Sequence, residues 1–256
     1  MTPGLIDSQS ACVTPDTRVS IPGFQTTQWS VVRKAIDGDE IKAQEGLTAI
    51  CNTYWYPLYT FLRRSGQKPE DAEDLTQSFF ERLIKKKILV SADSSKGKLR
   101  HFLIACLRNH VSDERDKGSA MKRGAALVSS FDALSAEERY NLESSDHLSP
   151  DRLFQREWSL TMLGIALEAL EIEFRDAGKG DLFKELRPFL GFGPEPSDRY
   201  GEISARLGVA PGTLKSHVHR MRERWSELLF EIVGSSLDNP TEEDIRNELR
   251  ELQGYV

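Results

Sequence analysis

Cysteine is scarce: Cys12, Cys51 and Cys106 are the only three in 256 residues, far apart and odd in number. That excludes a disulfide framework and a zinc knuckle, and it points to a reducing, cytoplasmic setting. Long apolar runs are also missing. The opening stretch is broken by Asp7, Pro15, Asp16, Arg18 and Pro22, unlike a secretory signal, and no later run is long and uncharged enough to span a bilayer. A soluble protein is expected. The five histidines and three cysteines form no ligand spacing or nucleophile triad, and there is no Gly-rich phosphate loop or nucleophile elbow. No enzymatic activity, metal, cofactor or small-molecule substrate is therefore expected. Nor is there a surplus of positive charge. A net charge of -6 excludes a protein that coats nucleic acid with its whole surface, because phosphate binding rests on Lys and Arg. Any such contact has to come from local basic patches.

Strand-like alternation and internal repeats are absent too, which leaves an all-α chain. Residues 1–24 carry Pro, Ser, Thr and Gly without apolar periodicity and read as a flexible leader. From Trp29 to Lys87 the pattern is helical, with Leu75, Phe79 and Leu83 on one face and Lys68-Pro69-Glu70-Asp71 supplying a start signal. A polar loop from Ser91 to Lys98 leads into a helix over Leu99 to Lys117, whose inner face is Leu99, Phe102, Leu103, Cys106, Leu107 and Val111. Its flanks are basic. Periodicity then lapses through a Ser- and acid-rich stretch, so two helical domains are expected, residues 25–117 and 151–233, joined by a flexible linker at 118–150. The second domain begins with a helix from Asp151 to about Phe174, and a shorter one follows over Asp181 to Leu190. Residues 234–256 form a tail with a short amphipathic helix carrying Ile245, Leu249 and Leu252 on one side.

Residues 200–225 read as a helix-turn-helix. In the first helix Ile203 and Leu207 stand four apart, Ala205 is small enough for close packing, and Gly208 can take the turn. The second begins at Pro211 and places Leu214, Val218, Met221 and Trp225 on one buried face. The opposite face then shows Thr213, Lys215, Ser216, His219 and Arg220, with Arg222 and Arg224 further along. Such a set can hold phosphates and hydrogen-bond base edges. His217 and His219, two apart, lie on different faces and make no metal pair.

Two blocks, Asp71-Ala72-Glu73-Asp74-Leu75-Thr76-Gln77-Ser78-Phe79-Phe80 and Gly212-Thr213-Leu214-Lys215-Ser216-His217-Val218-His219-Arg220, together resemble the extracytoplasmic-function class of bacterial sigma factors. The resemblance covers most of residues 29 to 230 in the family's order. It implies a promoter-specificity subunit whose partners are core RNA polymerase and promoter DNA, and it admits an anti-sigma protein. Asp74 and Gln77, in a region 2 helix, would face the clamp helices of the polymerase. Lys98, Arg100, Asn109 and Arg115 would hold the opened minus-ten element, with Phe102 kept for the core. Thr213, Lys215, Ser216, His219, Arg220, Arg222 and Arg224, in region 4, would read the minus-thirty-five element as duplex. The chain departs from the family in several places. Ser78 stands where an acid is common, His217 where Arg is common, Ala210 replaces a Ser or Thr helix cap, and Glu171 to Ser197 is extra. A stand-alone helix-turn-helix regulator and a sigma mimic that binds an anti-sigma protein remain alternatives.

Overall fold

All regular structure among the described residues is helical, and the apolar spacings explain why. The computed structural model describes residues 32, 40–85, 88–93, 97–116, 133–143, 147–191 and 199–256. The leader, part of the Ser91–Lys98 loop and much of the expected linker lie outside them. The helices run α1 (Glu40–Arg64), α2 (Pro69–Lys85), α3 (Leu99–Asp116), α4 (Ala133–Glu143), α5 (Pro150–Asp176), α6 (Gly180–Leu186), α7 (Arg199–Leu207), α8 (Pro211–Ser235) and α9 (Glu242–Gln253). Short 3-10 turns occupy Ile88–Ser91 and Arg187–Leu190. No helix among the described residues is long and apolar enough to cross a membrane.

The stripes seen in the sequence are the buried faces. Leu75, Phe79 and Leu83 of α2 are buried, as are Leu99, Leu103 and Leu107 of α3. They join Tyr54, Leu58 and Leu62 of α1 in a first core. A second core is built by Phe183, Leu186 and Phe189, Tyr200 and Ile203 of α7, and Leu214, Val218 and Met221 of α8. Trp225 is half-buried and packs at its margin, while Ala205 is exposed. Close approach comes from Ala166 and Ala169 of α5 instead, both buried.

Helix α5 feeds both cores. Its Phe154, Trp158 and Met162 belong to the first, and its Ala166, Ala169 and Leu170 to the second. Ser149 caps it, its side chain accepting from the Arg152 N–H, and Pro150 opens the first turn where no N–H is needed. At 27 residues, α5 is about 40 Å long at 1.5 Å per residue.

Helix α4 lies inside the stretch that composition marks as a linker. Side chains strap it to α1: Glu137 accepts from Arg63 Nε at 2.8 Å and Nη2 at 2.7 Å and from the Tyr59 hydroxyl at 2.6 Å. Arg139 lies over the Tyr56 ring, 4.0 Å from its centroid. The helix expected over Asp181 to Leu190 is divided in two. Pro188 has no N–H to continue an α-helical ladder, and a 3-10 turn follows α6.

The C-terminal helix is set by Thr241. Its Oγ1 accepts from the Asp244 N–H at 3.2 Å, and its own N–H donates to Asp244 Oδ2 at 2.9 Å, a reciprocal capping box. Asn239, at φ 45, makes the preceding turn, a conformation its short polar side chain tolerates. Ile245 and Leu252 pack into the first core beside Val233. The contact with α8 is close: a Cβ on Gly234 would lie 2.7 Å from Ile245 Cδ1.

Candidate nucleic-acid interface

The segment read as a helix-turn-helix folds as two helices, α7 and α8, with Gly208 at φ +65 in the turn between them, where a side chain would be strained. Tyr200 and Ile203 seat α7, the Tyr200 ring resting on Phe189 at 4.4 Å between centroids. Leu214, Val218 and Met221 then turn the opposite side of α8 outward. Thr213, Lys215, Ser216, His219 and Arg220 are all exposed on it. Lys215 Nζ stands 5.6 Å from the Tyr200 ring centroid, which steadies the ammonium without neutralising it. His219 Nε2 lies 3.4 Å from Glu223 Oε1. The His217 imidazole is held below its ordinary pKa by partial burial and by Arg220 and Lys179, which keeps it neutral at pH 7.

Two further arginines of this helix are engaged inside the molecule. Arg222 donates from Nε and Nη2 to the Phe189 carbonyl at 3.2 and 2.7 Å. Arg224 makes a bidentate pair with Glu173 of α5, Nη2 to Oε1 at 2.7 Å, and a further contact with Glu227 at 2.9 Å. These carboxylates raise its pKa, so it stays charged throughout the working range. Both tie α8 to its neighbours. The exposed group on the first three turns is what can meet a ligand.

Helix α2 presents Asp74 to solvent and Gln77 at half exposure, above the buried Leu75, Thr76 and Phe79. Ser78 is turned inward, donating to the Leu75 carbonyl at 3.2 Å and lying 2.9 Å from Nε2 of the buried His110. It therefore serves the packing of α2 on α3.

The basic residues around α3 divide. Asn109 and Arg115 are exposed. Arg100 is buried at 3% exposure, its guanidinium 4.3 Å over the Trp158 ring centroid, with Nε donating to Gln155 Oε1 at 2.8 Å. Its terminal nitrogens meet Glu248 and Glu251 of α9, the latter at 3.2 Å. Lys98 also pairs with both carboxylates. Burial pushes the Glu251 carboxyl up, but Lys98 and Arg100 together hold it below its ordinary pKa. Glu248 itself is 2% exposed. Composition had placed Arg100 on a solvated basic flank. Helical phase could have placed it inside, since Arg100 and His110 fall in step with Leu103 and Leu107.

Among the described residues no cluster of His, Cys, Asp and Glu could hold a metal ion. The Cys51 thiol, pushed up to about 11 by burial, is a packed apolar group. Comparison with family models, with curated proteins and with solved structures finds no match for this chain.

Proposed function

We propose that the chain is a promoter-specificity subunit of RNA polymerase of the extracytoplasmic-function sigma class, with no enzymatic activity of its own. The observation that carries the reading is the exposed set on α8. Thr213, Lys215, Ser216, His219 and Arg220 project from the second helix of a helix-turn-helix, where such a helix enters the major groove. The polar outward face of α2, with Asp74 and Gln77, supports the polymerase-docking half. A regulator acting alone has no use for it.

In this reading α1 to α3 form region 2, α7 and α8 supply the promoter-reading part of region 4, and residues 118–150 join the two. Arg220 and Lys215 supply charge and base-edge donors, Thr213 and Ser216 short hydroxyl donors, and His219 an imidazole ring. Asp74 offers a carboxylate to a polymerase arginine and Gln77 an amide. Arg222 and Arg224 position α8 from within.

The test is reconstitution with core polymerase and mapping of transcription start sites. Asp74→Ala is expected to weaken core binding. Arg220→Ala is expected to leave core binding intact and to cost about 1–3 kcal/mol in promoter selection. Failure of the purified chain to bind core polymerase defeats the reading, and tight operator binding without polymerase marks a stand-alone regulator instead. If the two variants behaved alike, the division of roles would be wrong.

A further inference from the structure

The C-terminal helix occupies Lys98 and Arg100 with carboxylates. Five of the twelve residues of α9 are acidic against two arginines. Glu248 and Glu251, three apart and so on one face, present their oxygens to both cations. Two carboxylates so spaced offer a lysine and an arginine what consecutive phosphates offer. Beside Glu248 on the buried face of α9, Ile245 rests on α8, against Gly234. Helix α9 is thus fastened to α8 by packing and to α3 by charge.

We propose that α9 is an acidic latch that competes with a nucleic-acid backbone for Lys98 and Arg100, so that in the free chain this basic site is shut while the α8 face stays open. The proposal rests on the promoter-specificity reading, in which these two side chains hold an opened DNA strand. Charge attraction to phosphate and charge attraction to α9 are mutually exclusive at Arg100, because the guanidinium is enclosed by Trp158, Gln155, Glu248 and Glu251. DNA reaches it only when α9 leaves. Taking away one side of a buried pair leaves an uncompensated charge that favours exposure. Neutralising the two glutamates therefore opens the latch rather than merely weakening it.

The experiment compares the full chain with a Glu248→Gln/Glu251→Gln double variant and with an equal-charge control, Glu242→Gln/Glu243→Gln, whose side chains face solvent. Affinity for a fluorescent single-stranded oligonucleotide is measured at fixed salt, together with amide hydrogen exchange over residues 242–253. Two freed cations release about two counterions, so the double variant is expected to bind on the order of tenfold tighter. The control is expected to match the parent chain, and α9 in the parent to lose exchange protection at saturating oligonucleotide. An equal gain in the control overturns the latch, as does a folded double variant that binds no tighter than the parent. Should that variant fail to fold, Gly234→Leu lifts α9 at its Ile245 contact, at unchanged charge. It is expected to show the same gain, and unchanged affinity there overturns the proposal. Core-polymerase binding by the same proteins separates the two failures. No binding by any of them defeats the underlying reading, whereas core binding with no gain on the oligonucleotide defeats the latch alone.

Discussion

Glu137 shows how one carboxylate fixes a helix. The Arg63 hydrogen bonds, joined by those from Tyr59 and Asn141, outweigh partial burial and hold its carboxyl below the ordinary carboxylate range. A depressed folded-state pKa means stabilisation that is full above the unfolded value, about 4.3 for Glu, and that is lost as pH falls through the folded value. Thermal unfolding followed from neutral pH down to about pH 3 is expected to show this loss in the parent chain and a weaker one in Glu137→Gln. The same acid dependence in both would mean that the pair contributes nothing. At this scale the sequence is informative about apolar residues and poor about charges. Leu75, Phe79, Leu214 and Val218 are buried where period and phase put them. Arg100, Glu157 and Glu248 are buried as well, and a reading that sorts charges to the surface misses all three. Yet each lies in phase with its helix's apolar stripe: Arg100 with Leu103 and Leu107, Glu157 with Phe154 and Ile165, Glu248 with Ile245 and Leu252. What one helix cannot reveal is the partner. Arg100 and Glu248 stand 148 residues apart.

Helix α8 begins without a side-chain cap. Ala210 sits at φ -57, ψ 142, and its carbonyl accepts from the Thr213 and Leu214 N–H groups, but among the described residues its side chain makes no capping hydrogen bond to the first turn. Ala210→Ser supplies an acceptor there and is expected to raise stability by about 0.5–2 kcal/mol, read as a higher denaturant midpoint at constant slope. An unchanged midpoint would show that the added hydroxyl makes no hydrogen bond to this turn. Helices with a strong stripe and a start signal, α2, α3, α5 and α8, were legible within a residue or two at their N-termini. Helix α4 was not, because its hold is long-range: Arg63 and Tyr56 lie far upstream, and no local period encodes them. The end of α8 was also hidden. Expected to finish near Trp225, it continues to Ser235 because Leu228 and Val233 keep the stripe going into the two cores.

On the scale of the whole molecule, α5 holds the two cores together, supported by Arg108 to Asp151 at 2.7 Å and by the α9 contacts. A folded chain of this length has a radius of gyration of about 18 Å. Promoter elements centred about 25 base pairs apart are separated by roughly 85 Å of duplex. In the proposed reading the arrangement therefore parts when both elements are engaged. Donor and acceptor dyes at the exposed Ser112 and Ser216 are expected to transfer energy efficiently in the free chain and to lose that transfer in the polymerase–promoter complex. Equal transfer in both states would show that the arrangement never parts. The shared helix has a consequence for dosage. In the proposed reading, a chain whose two reading surfaces sit on one rod of about 40 Å cannot occupy a full promoter by itself. A cell could therefore stock idle copies without those copies blocking the promoters they serve.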